Sequence, residues 1–398
     1  MDEENGKAER INPTNGVRFG EGIPVILLIV TVVVSNILSR SILSPLLVRV
    51  EHDFSVSHGP AAQLFLFVSI GYSLALLCSG FISSKITHRG TILVSSMLMS
   101  AALAVMAAAP TMNVMRAGVF LMGAGSGLYP PSGIVAITDF IDTRDWQKAL
   151  SLHEVGPHLG MVLAPWYANV MLNYTGWRGT VGFLAGIVLL VGFLFFLCNK
   201  AGKSKGEAPT FKVLLPLFKE RNFWILMLFF GLGLAGIQGI YLLTPTFLVS
   251  EAGFSLKSAN NVFGISRFLP ILALLSAGLV MDRIGVRRTV MITICGAGLT
   301  IFLMGVLQGP ALVVVVFLQP TIGALYFPAG LAVLAKVGPP RSRNVAVSML
   351  LPLSAVLGTG IIPSFLGYMG DVAGFTLGFL IVGGVTMAAG LLSVFLRT

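Results

Sequence analysis

Asn199 to Arg221 reads NKAGKSKGEAPTFKVLLPLFKER, a basic stretch with Gly, Ser and Pro inside an otherwise apolar chain. Such a stretch suits neither a hydrocarbon layer nor a packed helix interior, so it reads as a linker. Its 211–218 part, apolar between charges, is expected to form a short interfacial helix. On each side lie six apolar stretches, near 22–48, 59–82, 90–109, 114–140, 147–172 and 178–198, then 222–248, 258–281, 288–307, 310–336, 344–368 and 373–396. A bilayer core about 30 Å thick needs about 20 apolar residues per helix, which these stretches supply. The expected fold is an all-α polytopic membrane protein, with twelve transmembrane helices in two six-helix lobes related by a pseudo-repeat. The expected divisions are a tail over 1–20, a first lobe over 21–198, the linker over 199–221 and a second lobe over 222–398.

Composition supports the membrane class. Of the 398 residues, 55% are hydrophobic and 11% charged, with a mean hydropathy of +0.89. Soluble domains carry about 25% charged residues. The net charge of +10 is a matter of distribution rather than of nucleic-acid binding. Of the 26 Lys and Arg, 20 fall in the two tails and in alternate loops, while Arg49, Arg116, Arg178 and Lys257 occupy the opposite side. This is the positive-inside pattern, and it places both termini in the cytoplasm. The expected location is the plasma membrane, which is the inner membrane of a Gram-negative cell. No cleaved signal is expected, because the first apolar run follows a polar tail and is too long for a signal core. Cys78, Cys198 and Cys295 show no metal or redox spacing and are expected to be free thiols.

The halves match each other. SGLYPPSG at Ser126 to Gly133 aligns with GALYFPAG at Gly323 to Gly330 at an offset of 197. Leu43-Ser44-Pro45 aligns with Leu243-Thr244-Pro245, and Phe54-Ser55 with Phe254-Ser255, at an offset of 200. Ala149 and Ser151 align with Ala346 and Ser348 at 197. Matches in one order at nearly one offset indicate duplication, as in transporters with a site between repeats.

Gly278 to Arg288, GLVMDRIGVRR, resembles the loop pattern G-x-x-x-D-R-x-G-x-R-R of the major facilitator superfamily. The resemblance implies a gate made by Asp282, Arg283, Arg287 and Arg288. The corresponding GFISSKITHR at Gly80 to Arg89 has Ser84 where the family has Asp. Gly156-Pro157-His158-Leu159-Gly160 resembles the family's G-P-x-x-G element, common in proton antiporters, and Gly123 to Pro131 resembles its G-x-x-x-G-x-x-x-P segment. Position 119, where the family usually has Arg, is Val.

The candidate site residues begin with two arginines inside apolar spans, Arg40 and Arg267. An arginine at bilayer depth costs roughly 2.5–3.5 kcal/mol on insertion scales, so such residues face a cavity or a partner. Asn36, Arg40 and Ser44 share one helical face, as do Asn260, Gly264, Arg267 and Ile271. The guanidinium fork suits a carboxylate, phosphate or sulfonate. Alternatively, Arg40 snorkels to the interface and Arg267 pairs with Glu154. Glu154 is the acidic residue expected well within a span, with His153 beside it and His158 one turn on. A carboxylate beside imidazole suits a proton carrier, and the alternative is a helix-to-helix bond. Tyr129 and Tyr326 hold equivalent positions, Gln319 shares a face with Tyr326, and Gln238 lies near Tyr241. These five are expected either to orient a small polar ligand or to pack helices. No phosphate-binding Gly-Lys loop or metal cluster occurs, so neither an enzyme nor a cofactor is expected.

These readings point to a secondary active transporter of a small organic anion, proton-coupled and monomeric, whose partners are the anion, protons and lipid, with no nucleic acid. The alternatives are a proton-coupled exporter of lipophilic compounds and a membrane sensor without transport. The charge asymmetry predicts that single cysteines at Lys205 and Lys257 react with an impermeant reagent from opposite sides. Labelling of both from one side would remove the topology.

Overall fold

The computed structural model describes residues 16–207, 218–334 and 343–392. Most of the helix expected over 211–218 lies outside them. The first half of the chain forms α1 (Phe19–Ser41), α2 (Leu43–Phe54), α3 (His58–Ala107), α4 (Met112–Phe140), α5 (Trp146–Met171) and α6 (Trp177–Cys198). The second half forms α7 (Arg221–Leu234), α8 (Ile240–Ser250), α9 (Leu256–Ser266), α10 (Leu269–Ile284), α11 (Val286–Val306), α12 (Gly309–Leu334), α13 (Arg343–Ala355), α14 (Ile362–Val372) and α15 (Phe375–Leu392). The described residues contain no strand beyond one isolated bridge between Val17 and Ile141. An all-helical outcome follows from the solvent: lipid offers no partner for backbone groups, so each segment must satisfy its own.

Among the described residues, eight helices are long and apolar enough to cross a membrane, or nine if one bent pair counts as a single span. Twelve were expected. One 50-residue helix, α3, holds two of the expected spans, joined at a kink at Thr87. The 29 residues of α4 and the 26 of α5 are long enough but interrupted by Pro130, Pro131, Pro157 and Pro165. The three cysteines are free.

Small residues set the closest approaches. Gly123 and Gly127 lie one turn apart on α4, and a Cβ on either would run into the Val68 or Tyr72 carbonyl of α3. Two π-helical segments, Ala235–Gly239 between α7 and α8 and Val356–Ile361 between α13 and α14, pack on each other. Such bulges re-aim side chains inside a helix and cluster at functional positions.

At the end of the bundle near the linker, the first half is tied by its own backbone. The first part of the linker docks on the α3 kink: the His88 amide donates to the Ser204 carbonyl (3.0 Å), the Arg89 amide to Gly202 (2.7 Å) and the Gly206 amide to Ser83 (3.1 Å). Lys148 Nζ (2.7 Å) and the Phe19 amide (3.1 Å) bond Asp145 and hold its carboxyl below the usual carboxylate range.

Thr87 has φ +73° and ψ 162°, while Gly285 has φ +84° and ψ 147°. The two positions match in the halves, so a β-branched residue stands where the motif supplies glycine. That region costs a non-glycine residue about 1–3 kcal/mol. Glycine would relieve the strain, lose the Thr87 Oγ1 bond from the Gly90 amide (3.3 Å) and carry a larger unfolded-state entropy. Thr87→Gly is therefore predicted to stabilise the protein by about 1 kcal/mol. A melting temperature at or below that of the parent would show that Thr87 is not strained.

Candidate functional site

Hydrogen bonds between the two halves concentrate away from the linker end. Deepest in the bundle, Arg40 Nη2 donates to Gln238 Oε1 (2.9 Å). Ser44 Oγ donates to the Tyr241 carbonyl (3.2 Å), and Tyr241 Oη to the Met161 carbonyl (3.1 Å). Ser69 Oγ pairs with Thr359 Oγ1 (2.9 Å), and Ser73 Oγ donates to the Pro352 carbonyl (2.8 Å). Further out, Asn260 Nδ2 donates to Asn169 Oδ1 (3.0 Å) and the Pro45 carbonyl (3.4 Å). At the far end, Asp371 of α14 accepts from Ser57 Oγ (2.7 Å), the His58 amide (2.8 Å) and the Gly59 amide (2.8 Å). The first turn of α3 is thus capped by a carboxylate from the other half. His58 Nδ1 also meets Glu51 Oε1 at 3.0 Å. Nearer the linker than Ser73 and Pro352, no hydrogen bond joins the halves among the described residues. Among the described residues, the hydrogen bonds between the halves thus gather at the far end and the middle of the bundle.

A small cavity of about 40 Å³ lies between the halves, lined among others by Arg40, Phe65, Ser69, Gln238, Tyr241 and Thr359. Gln238 and Thr359 come from the two π-helical segments, whose wider turns carry these polar side chains toward the first half.

Both arginines converge on one turn of chain, Gln238 to Tyr241. Arg40 bonds Gln238 and lies over the Tyr72 ring, 4.7 Å from its centroid. Arg267 lies over Tyr241 at 4.5 Å and over Phe263 at 5.1 Å. It is 4% exposed, and its Nε has no hydrogen-bond partner. Instead of sitting mid-helix as expected, it occupies the break between α9 and α10, where its amide bonds the Gly264 carbonyl (3.2 Å). Among the described residues, neither arginine has a carboxylate within ion-pair distance. The expected alternative pairing of Arg267 with Glu154 does not form, and Arg40 bonds across the halves rather than snorkelling.

The expected buried carboxylate is open. The Glu154 side chain is 56% exposed, whereas Glu51 is the buried acid. Glu154 lies three residues before Pro157 and seven before Met161, which both line the cavity, so its face of α5 continues the cavity toward the linker end. His158 is half-buried and makes no hydrogen bond among the described residues. His153 is buried between Tyr129 Oη (2.9 Å) and Glu154 Oε1 (3.3 Å).

Most of the remaining candidates bond protein groups. Asn36 accepts from Ser126 Oγ (2.7 Å) within the first half, Gln319 bonds the Gly236 carbonyl, and Asn260 stitches the halves. Tyr129 Oη lies 3.4 Å from the Ile29 carbonyl, and Tyr326 Oη donates to the Phe229 carbonyl (3.3 Å). Ile29 and Phe229 are themselves 200 apart, so the two tyrosines hold matching places against matching helices. Asp282, Arg283, Arg287 and Arg288 are exposed, with no ion pair among the described residues. Ser69, Tyr72, Thr359 and Asp371 were not singled out in the sequence; only Tyr72 and Asp371 carried a signal, as a polar ring in a span and an acid at a helix end.

This arrangement of helices and loop motif has known counterparts. The sequence matches the Major Facilitator Superfamily over residues 29–272 and 258–398. The chain belongs to that superfamily. Within the superfamily, it is 22% identical over 337 residues to the nitrite extrusion protein of Bacillus subtilis, covering 84% of this chain and 80% of the relative. It is 24% identical over 248 residues to multidrug resistance protein D of Escherichia coli, covering 61% and 62%. It is 22% identical over 370 residues to the cis,cis-muconate transport protein of Acinetobacter baylyi, covering 88% of each. Its fold matches that of a bacterial homologue of the human lysosomal transporter Spinster, solved inward-facing and occupied, with a TM-score of 0.77 and 14% identity over 94% of this chain and 97% of that one. A superfamily member is a transporter rather than an enzyme.

The carboxylate that caps α3 across the halves suggests a conformational test. Loss of an N-cap costs about 0.5–2 kcal/mol, typically about 1. Asp371→Ala is predicted to shift the equilibrium toward far-end opening by about fivefold, since about 1.4 kcal/mol is a factor of ten. Faster thiol labelling of a cysteine at Ser364 checks this; an unchanged rate would show that the cap does not hold the closure.

Proposed function

We propose that this chain is a secondary active transporter of a small organic anion, mono- or dicarboxylate-like, coupled to protons and working by rocker-switch alternating access. The observation that carries the reading is the convergence of Arg40 and Arg267 on the Gln238–Tyr241 turn, beside a cavity, with no carboxylate in reach. An anion supplies the missing charge. Its planar acceptor pair fits a guanidinium fork, and hydrogen bonds to charged groups contribute about 1.5–3 kcal/mol against about 0.5–1.5 for neutral ones. Two of the relatives are named for anionic cargo, nitrite and muconate.

The reading takes twelve crossings in two duplicated lobes, both termini in the cytoplasm, residence in the inner membrane and action as a monomer. The matching tyrosine bonds at Ile29 and Phe229 support the duplication. The linker end then faces the cytoplasm, the site is open to that side, and the exposed Asp282, Arg283, Arg287 and Arg288 form a disengaged inner gate. Glu154 carries the coupled proton from its open face.

The second reading is a proton-coupled exporter of lipophilic compounds. It is favoured by the G-P-x-x-G element, by the aromatic wall of Phe65 and Tyr241, and by the resemblance to multidrug resistance protein D.

Proteoliposome uptake of cis,cis-muconate and nitrite, set against export of the cationic dye ethidium, separates the readings. Arg267→Ala is predicted to abolish anion uptake without lowering the melting temperature, because it removes a buried charge that has no ionic partner. Arg267→Lys is predicted to restore little, since an ammonium lacks the planar fork. Anion uptake by the Ala variant at the parent rate would eliminate the binding role, and ethidium export without anion uptake would favour the exporter.

A further inference from the structure

His153 sits between two of the groups singled out above, and the hydrogens available there permit only certain arrangements. The Tyr129 hydroxyl has one hydrogen and two acceptors in reach, His153 Nε2 at 2.9 Å and the Ile29 carbonyl of α1 at 3.4 Å. The opposite ring nitrogen, Nδ1, faces Glu154 Oε1 at 3.3 Å. A neutral imidazole carries one N–H, and a carboxylate only accepts. With Glu154 ionised, the consistent pattern has Nδ1–H donating to Glu154 and Nε2 accepting from Tyr129. The phenol hydrogen is then committed to His153.

We propose that the Glu154–His153 pair, rather than Glu154 alone, binds the coupled proton, and that Tyr129 transmits its arrival to α1. This deepens the proton-coupled reading and rests on it. One proton taken from solvent bonds to Nε2 and makes His153 an imidazolium. It keeps Nδ1–H on the Glu154 carboxylate and now donates Nε2–H to the Tyr129 oxygen. No other bond breaks. The phenol hydrogen turns from His153 to the Ile29 carbonyl. The two states differ by that one proton and by the partner of one hydroxyl.

The output falls on α1, which carries Arg40 eleven residues beyond Ile29, about three turns away. A proton held near the linker end is thereby coupled to the helix that bonds Gln238 across the halves. The geometry favours such a device. His153 is 3% exposed, Glu154 opens on the cavity face, and the Tyr129 and His153 rings stack at 6.0 Å with 14° between their planes. The other charged or titratable groups here are few. On α5 His158 lies one turn from Glu154, and Arg267 of the second half acts on His158. On α1, Ile29, Val30 and Val33 face α4 and α5 here, and none can titrate. Tyr129 acts through His153 and is a positioning residue.

The substrate-free test is infrared difference spectroscopy of the purified full chain in nanodiscs, recorded against pH. Acidification is expected to shift a tyrosine C–O band, and Tyr129→Phe and His153→Gln should each abolish the shift. Absence of a tyrosine shift in the parent, or its survival in His153→Gln, overturns the proposal. Proteoliposomes with cis,cis-muconate supply the functional arm. Tyr129→Phe should melt like the parent and retain exchange of labelled for unlabelled muconate, while proton-driven accumulation falls to equilibration. A merely structural tyrosine would lower exchange and accumulation together. Glu154→Gln that still accumulates muconate with parental pH dependence removes the proton-coupled reading itself. Loss of accumulation in Glu154→Gln with full accumulation in Tyr129→Phe removes only the transmission.

Discussion

A buried guanidinium with no carboxylate in reach is the constraint around which the centre of this molecule is arranged. Arg267 is held by the faces of Tyr241 and Phe263. A desolvated cation–π contact contributes about 2 kcal/mol. An arginine at bilayer depth costs roughly 2.5–3.5 kcal/mol on insertion scales. The two rings therefore bring the residue close to break-even without neutralising it, and its Nε is left without an acceptor. Arg40 is similarly poised, since Gln238 gives it an acceptor but no charge. A carboxylate at either place would have stabilised the closed bundle and filled the site. With none there among the described residues, the positive potential is left uncompensated.

The helices that frame these arginines are irregular where they meet them. Arg40 stands just before the break between α1 and α2, Arg267 at the break between α9 and α10, and Gln238 and Thr359 in π-helical segments. In lipid, irregular backbone is tolerated where protein or water covers it. These interruptions all fall on the contact between the halves, the part of the bundle away from lipid. They also weaken those helices as rigid rods at the level of the cavity, where a change in tilt would open or close it.

Much of the fold was legible because hydropathy, charge asymmetry and the loop motif each report a bulk constraint. The helical class and the burial of Arg267 came from these. The count of crossings was harder, because Thr87 joins two segments into one continuous helix and because prolines and small polar residues dilute α4 and α5. The site was legible in its ions and less so in its neutral residues. A helical wheel groups Asn36 with Arg40, but Asn36 accepts from the Ser126 hydroxyl within the first half. Tyr326 was placed by its repeat position and Gln319 by the face it shares with Tyr326, yet they bond the backbone of α7 and the adjoining π-helical segment. Glu154 looked buried because an acid in an apolar run is assumed to be so, yet its side chain is 56% exposed. Thr359 and Ser69 carry no signal in a linear sequence, since a hydroxyl that spans two halves looks like any hydroxyl that bonds its own helix.

The cap on α3 has a consequence for the medium. Asp371 meets a helix N-terminus, a site of partial positive charge, at the water-facing end of the bundle. Charge–dipole contacts of this kind weaken as salt screens them, and the Debye length shrinks from about 10 Å at 0.1 M to about 3 Å at 1 M. Arg267, by contrast, is 4% exposed, and buried charges are screened much less. The ionic strength of the surroundings thus acts on the contact that holds the two halves together at the far end, and much less on the potential at the buried guanidinium.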